Sequence, residues 1–392
     1  MRRDTELVQY DPAPGDPWQS NSTPIYQTAT FGQPDAEHFG PYDYSRSGNP
    51  TRTVLERQLA RLEGAKHALA YASGMAAIAA VGRLVPAGGR VLAASDLYGG
   101  TIRFLSRCLA RDNVRIDYID ATNLADVSRQ LERGADLLVV ETPSNPLQEV
   151  VDLRALSDLA HQHAARVSVD NTMLSPYLQN PLAHGADIVV HSATKHLGGH
   201  GDLMAGAVIT NDDELAGQLA FSQNAEGSAL GPFEAWLLLR GMKTLGVRLD
   251  RQVKTSERLA KWLDAHADVR QVYYAGLPDH PGHDIQLRQA RGAGSLLSFT
   301  TGCLQRSRAV VENTALMRVA VSFGSIASSI SLPCCMSHAS IPAEHRAVRK
   351  LPEDLVRISV GLEDVEDLIE DLQAAFLSVR PNKTLHAVAV ST

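Results

Sequence analysis

Between residues 67 and 210, seven short apolar runs alternate with stretches of helical spacing, and this alternation restricts the fold more tightly than any other feature. The runs are 67–72 (HALAYA), 90–94 (RVLAA), 114–119 (VRIDYI), 136–141 (DLLVVE), 166–170 (RVSVD), 187–191 (DIVVH) and 205–210 (AGAVIT). They are continuously apolar rather than alternating, the pattern of strands buried on both faces. Helix-like stretches at 74–84, 99–110, 123–132 and 152–164 separate most of them. This order predicts an α/β fold with a mostly parallel central sheet and helices on both faces.

The flanks differ. Residues 1–43 are rich in Pro, Gly, Tyr, Gln and Thr and read as an extended arm lying on another surface. A helix begins after Asn49, with Pro50 in its first turn, a stripe of Val54, Leu55, Leu59 and Leu62, and Gly64 at its end. A long helical region at 230–264 follows the last run, and a domain boundary is expected near 240. Beyond it, strands near 270–274, 295–301 and 356–360 and helices near 305–316 and 364–377 predict a smaller α+β domain. The expected organisation is an arm at 1–43, a large domain at 44–240 and a smaller one at 241–392, with a frayed C-terminus.

Composition excludes several functions. Lys and Arg number 37 against 44 Asp and Glu, a net charge of −7, which argues against nucleic-acid binding by phosphate neutralisation. No apolar run approaches the ~20 residues that span a bilayer. The opening MRRDTELVQYDPAPGDPW lacks the apolar core of a secretory signal. Cys108, Cys303, Cys334 and Cys335 are too few for a disulfide scaffold and read as reduced thiols of a cytosolic protein.

Ligands on open α/β sheets sit at the carboxyl ends of strands. Run 67–72 leads into Ser73-Gly74-Met75 and a helix, whose free N–H groups suit a phosphate; an ordinary N-cap reads the same way. Run 166–170 ends in Asp170, a carboxylate able to cap the next segment, bind a metal or hold a cationic nitrogen. Run 187–191 leads into His191-Ser192-Ala193-Thr194-Lys195-His196. A lysine desolvated there becomes a nucleophile; otherwise it is merely solvated. Together the three ends match pyridoxal phosphate, with a phosphate cradle, an acid for the ring nitrogen and a lysine for the aldehyde. Tyr98, in DLYGGT, is placed to stack on the ring. Other chemistries lack their patterns: no HExxH accompanies His191, His196 and His200, so no metal site is expected, and neither a GxGxxG nor a GxSxG occurs at a strand-to-helix turn.

YSRSGNPT (44–51), SGM (73–75), LYGGT (97–101), ETPSNP (141–146), VDNT (169–172), HSATK (191–195) and VRISVGLED (356–364) resemble the pyridoxal-phosphate enzymes of cysteine and methionine metabolism. That family holds cystathionine γ-synthases, cystathionine γ- and β-lyases and methionine γ-lyases. The likeness spans roughly residues 20–377 and is strongest to plant-type cystathionine β-lyases in 40–52, 273–283 and 321–344. It implies the aminotransferase-like fold type I and pyridoxal 5′-phosphate as cofactor. It also implies a homotetramer, a dimer of dimers with active sites shared between subunits, and the reduced thiols add a cytoplasmic setting.

By the same resemblance, Lys195 is the Schiff-base lysine, Asp170 the ring-nitrogen partner and Tyr98 the stacking tyrosine. Gly74 and Met75 N–H groups and the Ser192 and Thr194 hydroxyls are phosphate ligands, and Asn145 faces the ring oxygen. Tyr44 and Arg46 reach the phosphate of a neighbouring subunit. Arg357 grips the substrate α-carboxylate with Ser322 beside it. Val321 stands where the cystathionine γ-enzymes typically carry Glu, and Gly100 where methionine γ-lyases carry Cys. Arg103 matches an arginine of cystathionine-handling members, with Asp43 at the amine end; a solvated charge is the alternative for both. Ala327 replaces the lysine usual in the plant-type stretch, a change that could admit another thioether. The expected activity is β-elimination of L-cystathionine or related cysteine S-conjugates, a small sulfur amino-acid substrate, to thiol, pyruvate and ammonia. A γ-elimination or γ-replacement enzyme, or a non-catalytic scaffold, are the alternatives.

Overall fold

The computed structural model describes residues 1–9, 16, 18–336 and 351–378. Part of the expected arm (10–15 and 17) and the expected frayed end (379–392) lie outside the described residues. All seven apolar runs form strands: β1 (His67–Tyr71), β2 (Arg90–Ala94), β3 (Arg115–Ile119), β4 (Leu137–Glu141), β5 (Arg166–Asp170), β6 (Ile188–His191) and β7 (Gly206–Thr210). They make one sheet in the order β1-β7-β6-β5-β4-β2-β3. Neighbours from β6 to β3 are parallel, whereas β7 runs antiparallel to both β6 and β1. A parallel return requires a crossover, usually a helix. Residues 192–205 contain turns and no helix, so the chain comes back antiparallel and the Lys195 loop stays at the sheet's edge of chemistry.

A second sheet contains β8 (Gln271–Tyr273), β9 (Leu296–Thr300), β10 (Arg318–Val319), β11 (Ser329–Ser331) and β12 (Leu355–Ser359), ordered β10-β11-β12-β9-β8. β10 and β11, of two and three residues, are too short to show a period in sequence.

The helical region at 230–264 is two helices, Pro232–Met242 and Leu245–Asp264. Its break is held by a side chain: the Arg248 guanidinium donates to the carbonyls of Gly241 (3.0 Å) and His196 (2.9 Å). A Cβ on Gly241 would lie 2.3 Å from the Gly198 carbonyl oxygen, so glycine is what lets this helix press against the loop after Lys195. Leu245 and Leu249 of the second helix pack in the core beneath the large sheet, and Leu259 and Leu263 in the core of the second sheet. One helix therefore spans both cores.

The N-terminal arm is not wholly extended. Arg3–Val8 is helical, buries Leu7, and accepts a hydrogen bond at the Glu6 carbonyl from Gln58 Nε2 (2.5 Å). Among the described residues no helix is long and apolar enough to cross a membrane, and all four cysteines are free.

Candidate active site

The strand ends on which the chemistry was expected lie against one another. Ser73 caps helix Gly74–Gly82, its Oγ accepting from Ala76 N at 3.1 Å. This leaves the Gly74 and Met75 N–H groups at an unblocked positive helix end. A Cβ on Gly74 would lie 2.8 Å from Ser192 Cβ, so the two loops meet only because residue 74 has no side chain. Ser192 N donates to Thr172 Oγ1 (2.8 Å), and Thr172 N donates to Asp170 Oδ1 (3.0 Å). The Thr194 hydroxyl, expected at the phosphate, is engaged with the backbone of Ala205, donating to its carbonyl (3.2 Å) and accepting from its N–H (3.0 Å).

Asp170 closes β5 with Thr172 as its hydrogen-bond donor. Burial raises its carboxyl above the ordinary range, while Thr172 and the nearby His191 draw it back. Tyr98, 44 % exposed, lies over Gly100 and beside Met75: a Cβ on Gly100 would be 2.4 Å from Tyr98 Cε1 and 2.8 Å from Met75 Sδ. The Tyr98 ring thus stands near the phosphate-type helix start, and its backbone N–H donates to Glu141 Oε2 at 3.0 Å.

Lys195 Nζ donates to Ser322 Oγ at 2.7 Å and lies 5.3 Å from the Phe323 ring centroid. Burial, and then the like charge of Arg357, lower its ammonium to about 8. That makes it a usable base and nucleophile near neutrality. Ser322 holds a φ of 140°, rare for a residue with a side chain. Gly324, at φ 83°, backs directly onto Lys195: a Cβ there would be 3.1 Å from Lys195 Cβ. Arg357, on β12 and 3 % exposed, donates to Asn145 Oδ1 (3.2 Å) and the Ser322 carbonyl (2.8 Å). Its Nε is buried without a partner among the described residues, and burial lowers the guanidinium to about 10. A buried guanidinium with a spare N–H is a ready carboxylate receptor.

Not every expected residue joins this group. Tyr44 and Arg46 sit together on an exposed face, the guanidinium 5.3 Å from the tyrosine ring and bonded to Asn224 (3.1 Å), with no contact to Lys195 described. Arg103 is exposed on helix Gly99–Arg107, and Val321 is exposed next to Ser322. A cleft of about 1180 Å³ is lined by Asp120, Glu149, Asp264 and Asp279, and by neither Lys195 nor Arg357. A cleft of about 500 Å³ bordered by Thr194, Ser322 and Phe323 adjoins the lysine instead, and Ala327 lines it. Sequence reasoning missed Glu141, Thr172, Phe323 and the buried His191–Glu63 pair (2.6 Å). For Glu141 a signal existed, since it ends its strand as Asp170 does.

The residues fit pyridoxal 5′-phosphate on their own geometry. A side chain at Gly74 would fill the cradle, an acid waits at a strand tip, and a lysine of lowered basicity stands beside an arginine with an unused N–H. The sequence profile described as Cys/Met metabolism PLP-dependent enzyme matches residues 4–377. The chain belongs to that family. It is a pyridoxal-phosphate enzyme of fold type I, and its curated relatives set it among carbon–sulfur lyases. A chloroplastic cystathionine beta-lyase of Arabidopsis thaliana is 51 % identical over 92 % of this chain and 78 % of that protein. A cystathionine beta-lyase of Neurospora crassa is 45 % identical over 95 % of this chain and 81 % of that protein. Among solved structures, a cystathionine gamma synthase of Xanthomonas oryzae in complex with aminoacrylate and cysteine superposes with a TM-score of 0.94 at 37 % identity, covering 96 % of this chain and 98 % of that one.

Proposed function

We propose that this chain cleaves the Cβ–S bond of L-cystathionine by β-elimination, releasing homocysteine, pyruvate and ammonia. The observation that carries the reading is the Lys195–Ser322–Arg357 cluster, which sets a weakly basic amine beside a carboxylate receptor. The identities to β-lyases from a plant and a fungus support the same bond.

Pyridoxal phosphate, when bound, supplies an electron sink that makes a substrate Cα–H acidic. Lys195 would carry it, Gly74, Met75 and Ser192 would hold its phosphate, Asp170 its ring nitrogen, Asn145 its ring oxygen, and Tyr98 would cover its face. Arg357 grips the α-carboxylate with a planar fork, which orients the Cα–H bond towards Lys195. The Lys195 amine removes the Cα proton, and Ser322 steadies that amine from its hydroxyl. Lys195 or Tyr98 then delivers a proton to the departing sulfur. A γ-reaction needs a second proton removal, at Cβ. Val321 adjoins Ser322 at the position where γ-enzymes of the family carry an acid, which favours the β-reaction.

Arg103 and Asp43 are the charges assigned to the distal end of the substrate. Tyr44 and Arg46, exposed and paired with each other, serve the site of a second subunit in a homotetramer built as a dimer of dimers. A cytoplasmic setting is part of the reading, supported by the free thiols, although the Arabidopsis relative is chloroplastic. The product assay tests the activity. Incubation with cystathionine is expected to yield pyruvate and homocysteine; 2-oxobutyrate and cysteine alone would overturn the β assignment. Borohydride is expected to trap the coenzyme on Lys195. Mixed oligomers of an R46A chain and a K195A chain are expected to recover activity, and absence of rescue would refute a shared site.

A further inference from the structure

Glu141 ends β4, Asp170 ends β5, and the two are register partners on adjacent parallel strands. Glu141 is only 5 % exposed. A cavity of about 20 Å³, room for about one water, is walled by both residues. Its other walls include Ile78, Leu97, Leu105 and Val139, with Thr101 and Ser168 as polar members and no Lys, Arg or His. Two carboxylates side by side without a cation are not both ionised. Asp170 has the basic side chain on its other flank, His191 at the β6 tip, backed by Glu63. Among the described residues lining this cavity Glu141 has none: β5 presents Asp170 to it, and helices Gly74–Gly82 and Gly99–Arg107 present apolar side chains and Thr101. Burial first, and then Asp170, raise the Glu141 carboxyl well above its usual range, against the pull of the Tyr98 and Asn145 backbone N–H groups.

We infer that Glu141 is a positioning residue of the coenzyme site, its carboxyl anchoring the Tyr98 backbone while it lies edge to edge with Asp170. As the neutral acid it accepts from Tyr98 N–H and leaves Asp170 as the sole negative charge of the pair. One side chain thereby sets both the ring that stacks and the acid that meets the ring nitrogen. The inference rests on the reading that Tyr98 and Asp170 flank the coenzyme.

The test reconstitutes apoprotein with pyridoxal phosphate and follows affinity and the visible circular dichroism of the bound chromophore. E141Q keeps an acceptor without a proton to lose, and is expected to bind within about threefold of wild type with the same dichroic band. E141A lacks the acceptor and is expected to bind at least about tenfold more weakly with an altered band. Titrated upward from neutral pH, wild type is expected to show a change in the band, as Glu141 ionises beside Asp170, that E141Q lacks. Wild-type affinity and band in E141A, E141Q as damaged as E141A, or the same alkaline change in both wild type and E141Q would overturn the inference. The titration decides it even if E141A does not fold. D170N serves as the separate control: unchanged binding there sinks the underlying site reading, whatever the Glu141 variants do.

Discussion

Lys195 and Arg357 meet on a single residue, Ser322: the amine donates to its hydroxyl at 2.7 Å, and the guanidinium donates to its carbonyl at 2.8 Å. The amine comes from the loop after β6 and the guanidinium from β12, so their separation is set by one residue of unusual backbone conformation, φ 140°.

Removing the shared hydroxyl tests that geometry. Ser322→Ala keeps the backbone acceptor for Arg357 and deletes the partner of Lys195. Loss of one hydrogen bond to a charged group is expected to lower kcat/KM about tenfold, with KM nearly unchanged. Steady-state kinetics check this; a rise in KM alone would place Ser322 in substrate binding instead.

Arg357→Lys keeps the charge but loses the fork that spans Asn145, Ser322 and a carboxylate. KM is expected to rise about 100-fold with a smaller change in kcat. Neutralisation by Arg357→Met has a second consequence. Part of the lowering of Lys195 to about 8 comes from the arginine's like charge. Removing that charge raises the amine, so labelling of apoprotein Lys195 by an acylating reagent should need higher pH in the variant. An unchanged labelling profile would leave burial as the sole cause.

Gly74→Ala puts a Cβ 2.8 Å from Ser192 Cβ, inside contact distance. The two loops must part, which costs about 1–3 kcal/mol where the neighbours are tightly packed. The expected outcome is a fold close to wild type with coenzyme bound about tenfold more weakly or worse, measured by release on dialysis. Full retention would show that the cradle lies elsewhere.

His196, buried beside Phe323, has neither ring nitrogen partnered among the described residues. Burial, with Arg248 and Lys195 adding to it, lowers its pKa from 6.5 to about 3. The unfolded chain therefore takes up a proton near 6.5 that the folded chain refuses until about 3, so stability drains away as pH falls through that window and is unaffected above it. His196→Phe, of similar shape, should abolish this share of the acid sensitivity and add about 1 kcal/mol by removing unpaired polar groups. Melting temperatures at neutral and mildly acidic pH decide the matter; parallel acid losses in both proteins would exclude His196 as the source.

The strands of the large sheet were legible because burial on both faces forces continuous apolar runs, and the bracketing turns mark their ends. Asp170 and Lys195 were legible because polar residues at the tips of such strands stand out against the apolar runs. The break between Met242 and Leu245 was not, since it depends on Arg248 reaching carbonyls of two separate segments. The short helix at Arg3–Val8 was hidden by its length: six residues leave little period, and it is docked by contact with Gln58 rather than by its own propensity. β10 and β11 escaped for the same reason of length.

Local chemistry written along the chain determined which residue types arrive at strand ends: the glycine that permits close approach, the acid and the lysine. Periodicity also determined the layered α/β class, because an element's repeat follows from its own backbone geometry. Only tertiary structure decided that Ser322 joins Lys195 to Arg357, that Glu141 stands beside Asp170 while holding Tyr98, and that Arg46 lies over Tyr44 and bonds Asn224. Those relations depend on distances between segments far apart in sequence, which arise when the two sheets and their connecting helix pack together.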